Sequence, residues 1–217
     1  MKCCRIFINL YIRERVLRMK YVITIARQFG SLGRPIAKKL AEILEVDYHD
    51  RYLIDSAAEK ISMPTSIVSN LDEKANGKYF SMKFPLGMSQ ASTQNKIFEA
   101  QSEIIRDLAS RESCIIVGRC ADYILRDMKN HMRVYIYAPY ETRLKNCTET
   151  LLIPEKDAKK IIREVDSARD EFHMKYAGYV PSNPYYKDIM LNSEYLGVDG
   201  TAQLLADIVK SQYISGR

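Results

Sequence analysis

Three groups of residues in the chain have types and spacing suited to phosphate chemistry. The first is ARQFGSLGRPI over residues 26–36. There Gly30, Ser31 and Gly33 let a backbone loop fold closely around an anion, and the helix that follows offers free N–H groups and the positive end of its dipole. Laid on the phosphate-loop pattern G-x-x-x-x-G-K-[ST], Gly33 matches. Gln28 stands at the first glycine, Arg34 at the lysine and Pro35 at the hydroxyl residue that would bind Mg2+. So poor a match leaves a tight strand-to-helix turn without ligand as an equal reading. The second group is IIVGRCAD, which brings Arg119 and Asp122 out at a strand's end. A planar guanidinium suits bidentate binding of phosphate, though Arg119 in isolation also fits a role capping the sheet or pairing with an acid. The third is Arg163, Asp166 and Arg169, three residues apart on one helical face, where a solvated ion-pair face is the plain alternative. Taken together they suit phosphoryl transfer, which needs positive charge around a moving phosphoryl group and little covalent chemistry.

The elements that must hold these groups follow from apolar patterning. YVITIA from Tyr21, the run Cys114–Val117, RVYIYAP from Arg133 and DIMLNS from Asp188 read as strands, and VDYHD as a short extended piece. Continuous β-branched runs mark strands covered on both faces. Helical spacing appears at Ile36, Leu40, Ile43 and Leu44, with Pro35 tolerated in the first turn. Further helices are expected over Tyr52–Ile61, Thr65–Lys74, Thr93–Arg111, Ala121–Arg126, Glu141–Thr150 and Glu155–Lys175. A last one, Gly200–Gln212, would be capped by Asp199, and Ala75–Ser92 reads as a loop near the site. Strands alternating with helices call for a wound parallel sheet, whose ligands sit at the carboxyl ends of the strands. Arg27–Arg34, Asp50, Gly118–Asp122 and Asn192–Ser193 all fall there.

Composition narrows the function classes. With 217 residues, 47% of them hydrophobic, the chain can bury a sizeable core. Its net charge of +6 is concentrated in the first twenty residues, where six basic residues face only Glu14. The remainder carries 27 basic against 26 acidic residues, so the body has no strong pull on a nucleic acid. Residues 1–18 read as a basic extension before Met19 and fit a signal peptide poorly; a short membrane contact is the rival reading. Nothing suggests stable membrane association. Five cysteines without paired spacing fit a reducing, cytoplasmic setting, and the three scattered histidines make no zinc pair.

ITIARQFGSLGRPIAKKLAE, YHDRYLIDSAA, FEAQSEIIRDLASRESCIIVGRCADYILRD, ARDEFHMKYAG and LNSEYLGVDGTAQLL together resemble the cytidylate-kinase-like branch of the nucleoside monophosphate kinases. The resemblance covers roughly Met19 to Ile208 and is most specific in the Arg-Gln-x-Gly-Ser-x-Gly-Arg loop and the Gly-Arg-Cys-Ala-Asp turn. It implies an α/β P-loop kinase fold in three layers, with a five-stranded parallel sheet of order 2-3-1-4-5. One domain over 19–217 would carry an acceptor-binding helical segment near 51–110 and a lid near 154–187. ATP with Mg2+ would be the donor, and a nucleoside monophosphate, CMP first, the acceptor. A homo-oligomer is left open, and the metal ligands are not assigned. On this resemblance Arg27, Gln28, Gly30, Ser31, Leu32, Gly33, Arg34 and Pro35 form the donor loop. Arg34, Arg119, Arg163 and Arg169 act on the transferring group. Asp50, Gln101, Arg119 and Asp122 serve the acceptor side, the two aspartates orienting it or holding metal-bound water, and Gln101 is equally a plain helix amide. Arg34 for lysine, Pro35 for a hydroxyl, and Cys120 where authentic enzymes have aspartate are departures that leave room for a nucleotide-binding protein without turnover. Kinase action on another small acceptor is a further alternative.

Overall fold

The computed structural model describes residues 20–50, 56–57, 59–60, 62 and 90–214. Five strands form one parallel sheet: β1 (Val22–Arg27), β2 (Asp47–His49), β3 (Cys114–Val117), β4 (His131–Tyr137) and β5 (Ile189–Asn192), in the order β2-β3-β1-β4-β5. This is the order the resemblance implied. The register sets Ile23 beside Ile115 and Met132, so β1 is the central strand.

Among the described residues six α-helices flank the sheet: α1 (Gly33–Leu44), α2 (Gln90–Arg111), α3 (Ala121–Ile124), α4 (Tyr140–Lys145), α5 (Glu155–Ala177) and α6 (Ser193–Val209). Alternation along β1 explains why its run is apolar throughout. Ile23 and Ile25 enter a core with Ile36 and Leu40 of α1 and Leu205 and Val209 of α6. Val22 faces the other side, against Ile105 and Leu108 of α2 and Ile124 of α3. Each fully buried isoleucine in these layers contributes about 2 kcal/mol of transfer free energy. A smaller cluster packs Ala158 and Ile162 of α5 and Cys147 against Phe29, so the long helix leans on the glycine loop.

Several expected boundaries move. The last helix begins at Ser193, capped by the Asn192 side chain accepting from the Glu194 N–H; the helical path breaks at Gly197, two residues before the expected cap Asp199. The segment expected as one helix over 141–150 splits into α4 and a wide π turn, Asn146–Thr150. α2 starts at Gln90, taking in the end of the expected loop. Of the expected helix Tyr52–Ile61, residues 56, 57, 59 and 60 are helical, while Thr65–Lys74 and 75–89 lie outside the described residues.

Candidate functional site

The glycine loop is held from both sides by its own residues. The Gln28 N–H donates to the Ile136 carbonyl at 3.0 Å, and its side-chain oxygen accepts from the Ala138 N–H at 3.2 Å. Ser31 is fully buried, its hydroxyl turned onto the carbonyls of Gln28 (2.9 Å) and Ile136 (3.2 Å). Its own carbonyl accepts from Ser193 at 2.8 Å. The hydroxyl thus braces the loop on β4 and α6 rather than facing a ligand. Gly30 is required at φ 77°, where an added Cβ would lie 2.7 Å from the Arg143 carbonyl. Leu32, at φ 55°, ends the loop in a left-handed conformation and leaves the start of α1 without a side-chain cap. Pro35 is exposed.

Arg27, the last residue of β1, is the centre of the site. Its side chain, 12% exposed, passes between two glycines. A Cβ on Gly33 would come 2.8 Å from the Arg27 Cβ, and one on Gly118 would collide with its guanidinium. Both glycines therefore make room for an arginine as well as turning the chain. Burial, then the nearby Arg169, lowers the Arg27 pKa well below its ordinary value against the opposing pull of Asp50. Its Nε is buried with no hydrogen-bond partner. Asp50, 9% exposed at the end of β2, pairs with Arg34 Nε at 2.5 Å, lies 4.0 Å from Arg27, and accepts from Tyr48 at 3.2 Å. Burial and Asp50 push the Tyr48 hydroxyl up to about 12. The residue expected on the donor phosphates and the one expected on the acceptor are thus bonded to each other.

Gly118, Arg119 and Cys120 form the turn after β3, and Asp122 sits in the short helix behind it. Asp122 is buried and spends its oxygens on protein: His173 Nε2 lies 3.0 and 3.1 Å away, Lys187 Nζ bonds one oxygen, and the Tyr179 hydroxyl is 3.5 Å off. Burial would raise this carboxyl, but the His173 hydrogen bonds and the Lys187 charge outweigh it and hold it below the usual carboxylate range. Asp122 is thus an anchor for protein groups rather than the free acceptor-orienting group expected. Cys120 is a buried thiol at the start of α3.

α5 closes over the strand ends. Arg169 donates to the Arg27 carbonyl at 3.1 Å. Asp166 accepts the Phe29 N–H of the glycine loop at 2.7 Å and binds Arg143 Nη1 at 2.5 Å. Arg163 points elsewhere: it is exposed and outside the pocket lining, so the expected pair of lid arginines reduces to Arg169. Gln101 is fully buried in α2 and is not in the lining either.

Together these elements enclose a cavity of about 320 Å3. Arg27, Arg34 and Arg119 line it from the sheet's strand ends and α1, and Arg169 from α5. Phe29, Ile161, Val165, Ala168 and Phe172 supply an apolar wall. Among the described residues the one carboxylate of the lining is Asp122, already taken by His173 and Lys187. Ile161, Val165, Ala168 and Phe172 were missed because the charges of α5 drew the reading, although their helical spacing was visible in the sequence. His173 and Lys187 carried no local signal. Tyr176 stacks on Phe98 and Tyr179 on Tyr186, while Tyr185 and Tyr195 are exposed; none of these rings lines the cavity.

The model of the cytidylate kinase-like family matches residues 22–195, the span that carries the sheet, the glycine loop, the Arg119 turn and α5. The chain belongs to that family. A solved structure of an uncharacterized protein from Eubacterium ventriosum is 26% identical, with a TM-score of 0.67, covering 89% of this chain and all of that one. Shikimate kinase from Acinetobacter baumannii, solved with shikimate, is 14% identical at TM-score 0.51, covering 91% and 97%. Shikimate kinase from Bacteroides thetaiotaomicron is 12% identical at the same TM-score, covering 88% and 98%. No curated protein sequence matches the chain. The shikimate kinases share the fold alone, and family and fold together support a phosphotransferase. Among its described residues, this cytidylate kinase-like protein has no helix long and apolar enough to cross a membrane. Nor do they offer a place for protein-bound Mg2+. No group of three His, Cys, Asp or Glu is suitably arranged, Asp50 and Asp122 are bonded to cations, and Pro35 has no hydroxyl.

Proposed function

We propose that this member of the cytidylate kinase-like family moves the γ-phosphoryl of ATP onto a nucleoside monophosphate, cytidylate being the first candidate. The observation that carries the reading is the convergence of Arg27, Arg34, Arg119 and Arg169 on one cavity, where the one carboxylate among the described lining residues, Asp122, is already paired with Lys187. Such a pocket favours a group that develops negative charge, as a transferring phosphoryl does. The uncapped start of α1 and the glycine loop suit the donor phosphates, with Arg34 leaving Asp50 to meet them. Arg119 suits the acceptor phosphate and Arg169 the transferring group. On this reading 51–110 forms the acceptor segment, 154–187 the lid, and 1–18 a basic extension, in a cytoplasmic protein.

Incubating the purified protein with ATP and a panel of nucleoside monophosphates tests this. ADP and a nucleoside diphosphate should form together, and folded Arg119→Ala and Arg34→Ala variants should lose on the order of a hundredfold in rate. Absence of turnover with every monophosphate overturns the reading. One feature favours a second reading, a nucleotide sensor: the Arg34–Asp50 pair and the Asp166 bond to the Phe29 amide satisfy loop groups that a donor would otherwise hold. Calorimetry showing ATP binding without turnover selects it.

A further inference from the structure

The turn that presents Arg119 is strained. Gly118, Arg119 and Cys120 follow one another at φ 78°, 60° and 52°, and two of the three carry a Cβ. Side-chain-bearing residues visit this region singly, and they persist there only where surrounding structure holds them. The entry to the turn is tied by the Gly118 N–H on the Ile25 carbonyl at 3.0 Å, and the Ala121 N–H closes onto the Gly118 carbonyl at 3.1 Å. Its exit runs straight into α3, where the Tyr123 and Ile124 N–H groups donate to the Cys120 carbonyl at 2.9 Å and the Asp122 side chain leaves the first turn.

That side chain is tied to two other elements. His173 meets an acceptor on each ring nitrogen: the Tyr179 carbonyl at 2.8 Å from Nδ1 and the Asp122 oxygens from Nε2. Lys187, its side chain wholly buried, bonds Asp122 from the segment that leads into β5. His173 also stands four residues beyond Arg169, one turn along the same face of α5. The Asp122–His173 contact therefore joins α3, which directly follows the turn, to α5 one helical turn from the pocket's Arg169.

We propose that Asp122 is a positioning residue: anchored by His173 and Lys187, it holds the left-handed turn 118–120 so that Arg119 enters the pocket shared with Arg27 and Arg169. The assignment rests on this pocket being the phosphate site and adds the group that aims one of its arginines. Asp122 is buried and its oxygens are occupied by His173 and Lys187, so its effect passes through Arg119.

The test uses the double variant Asp122→Asn/Lys187→Met, which removes both charges at nearly constant volume and leaves no buried ammonium stranded. Labelling of Arg119 by phenylglyoxal, read by mass spectrometry against the exposed Arg163, should rise several-fold. In calorimetry, affinity for pyrophosphate should fall about tenfold, the loss of one charge-assisted contact. That loss should vanish where Arg119→Ala is already present and persist in an Arg27→Ala background. Unchanged Arg119 labelling in the folded double variant overturns the proposal, as does an equal affinity loss in both backgrounds. If the double variant does not fold, labelling of His173→Gln decides in the same way. Should the parent protein bind no pyrophosphate, the phosphate reading of the pocket fails, while the labelling arm still decides whether Asp122 positions Arg119.

Discussion

Single residues in this site are explained by what their side chains displace. Gly33 and Gly118 look like phosphate-loop and turn glycines in the sequence, yet each also gives way to Arg27. Ser31 looks like a ligand hydroxyl and instead bonds two carbonyls of its own scaffold. The opposite case is Leu32, a γ-branched residue at φ 55° where glycine would sit without cost. Comparing Leu32→Gly with Leu32→Ala isolates that cost, since both lose the same contacts. The glycine variant should be more stable by about 1 kcal/mol in urea unfolding. Equal midpoints would place no strain at this position.

At the scale of elements, α5 is attached to the sheet by specific bonds as well as by its apolar face. Asp166 joins the Phe29 amide and Arg143, Arg169 reaches the Arg27 carbonyl, and Phe172 and Tyr176 pack with Phe98 of α2. The Asp166 contact is the most exposed to test, because Arg143 is buried and its guanidinium also donates to the Phe29 carbonyl at 3.2 Å. Asp166→Ala should cost about 2–3 kcal/mol of stability by leaving that cation without its partner. Faster amide exchange at Phe29, measured by NMR, should accompany it. A variant with unchanged stability and exchange would show that α5 is held by apolar packing. The described long helices α1, α2 and α5 were legible from period alone, whereas the break at Gly197, the π turn 146–150 and the Asn192 cap depend on how the chain meets its neighbours.

For the molecule as a whole, the buried ionisable groups set how acid acts on stability. His131 in β4 is flanked by the Thr24 hydroxyl at 2.7 Å and the Leu125 carbonyl at 3.0 Å. Burial lowers it to about 4, with the Leu125 carbonyl pulling the other way. Its folded value thus lies below the unfolded one, so the unfolded chain takes up the proton first and stability falls as pH drops from about 6.5 towards 4. The lowered Asp122 carboxyl adds its loss below about pH 4. The unfolding free energy should therefore decline on the order of a few kcal/mol through the upper window, lowering the thermal midpoint with it, and His131→Gln should flatten that part of the curve. A variant with the parent's slope would assign the decline to other groups. What the sequence determined by itself was the wound parallel sheet, its order through family resemblance, and the placing of arginines at strand ends. Buried strands and amphipathic helices write those features as local periodicity, and the carboxyl ends of parallel strands collect ligands whatever the side chains. Only the tertiary structure decided which of those residues share a pocket. Arg163 and Arg169 lie on one helix yet part company, and Asp122, His173 and Lys187 come from three separate segments. Such pairings are set by how helices cross the sheet and by which charges can be buried together, and no local stretch of the chain encodes either.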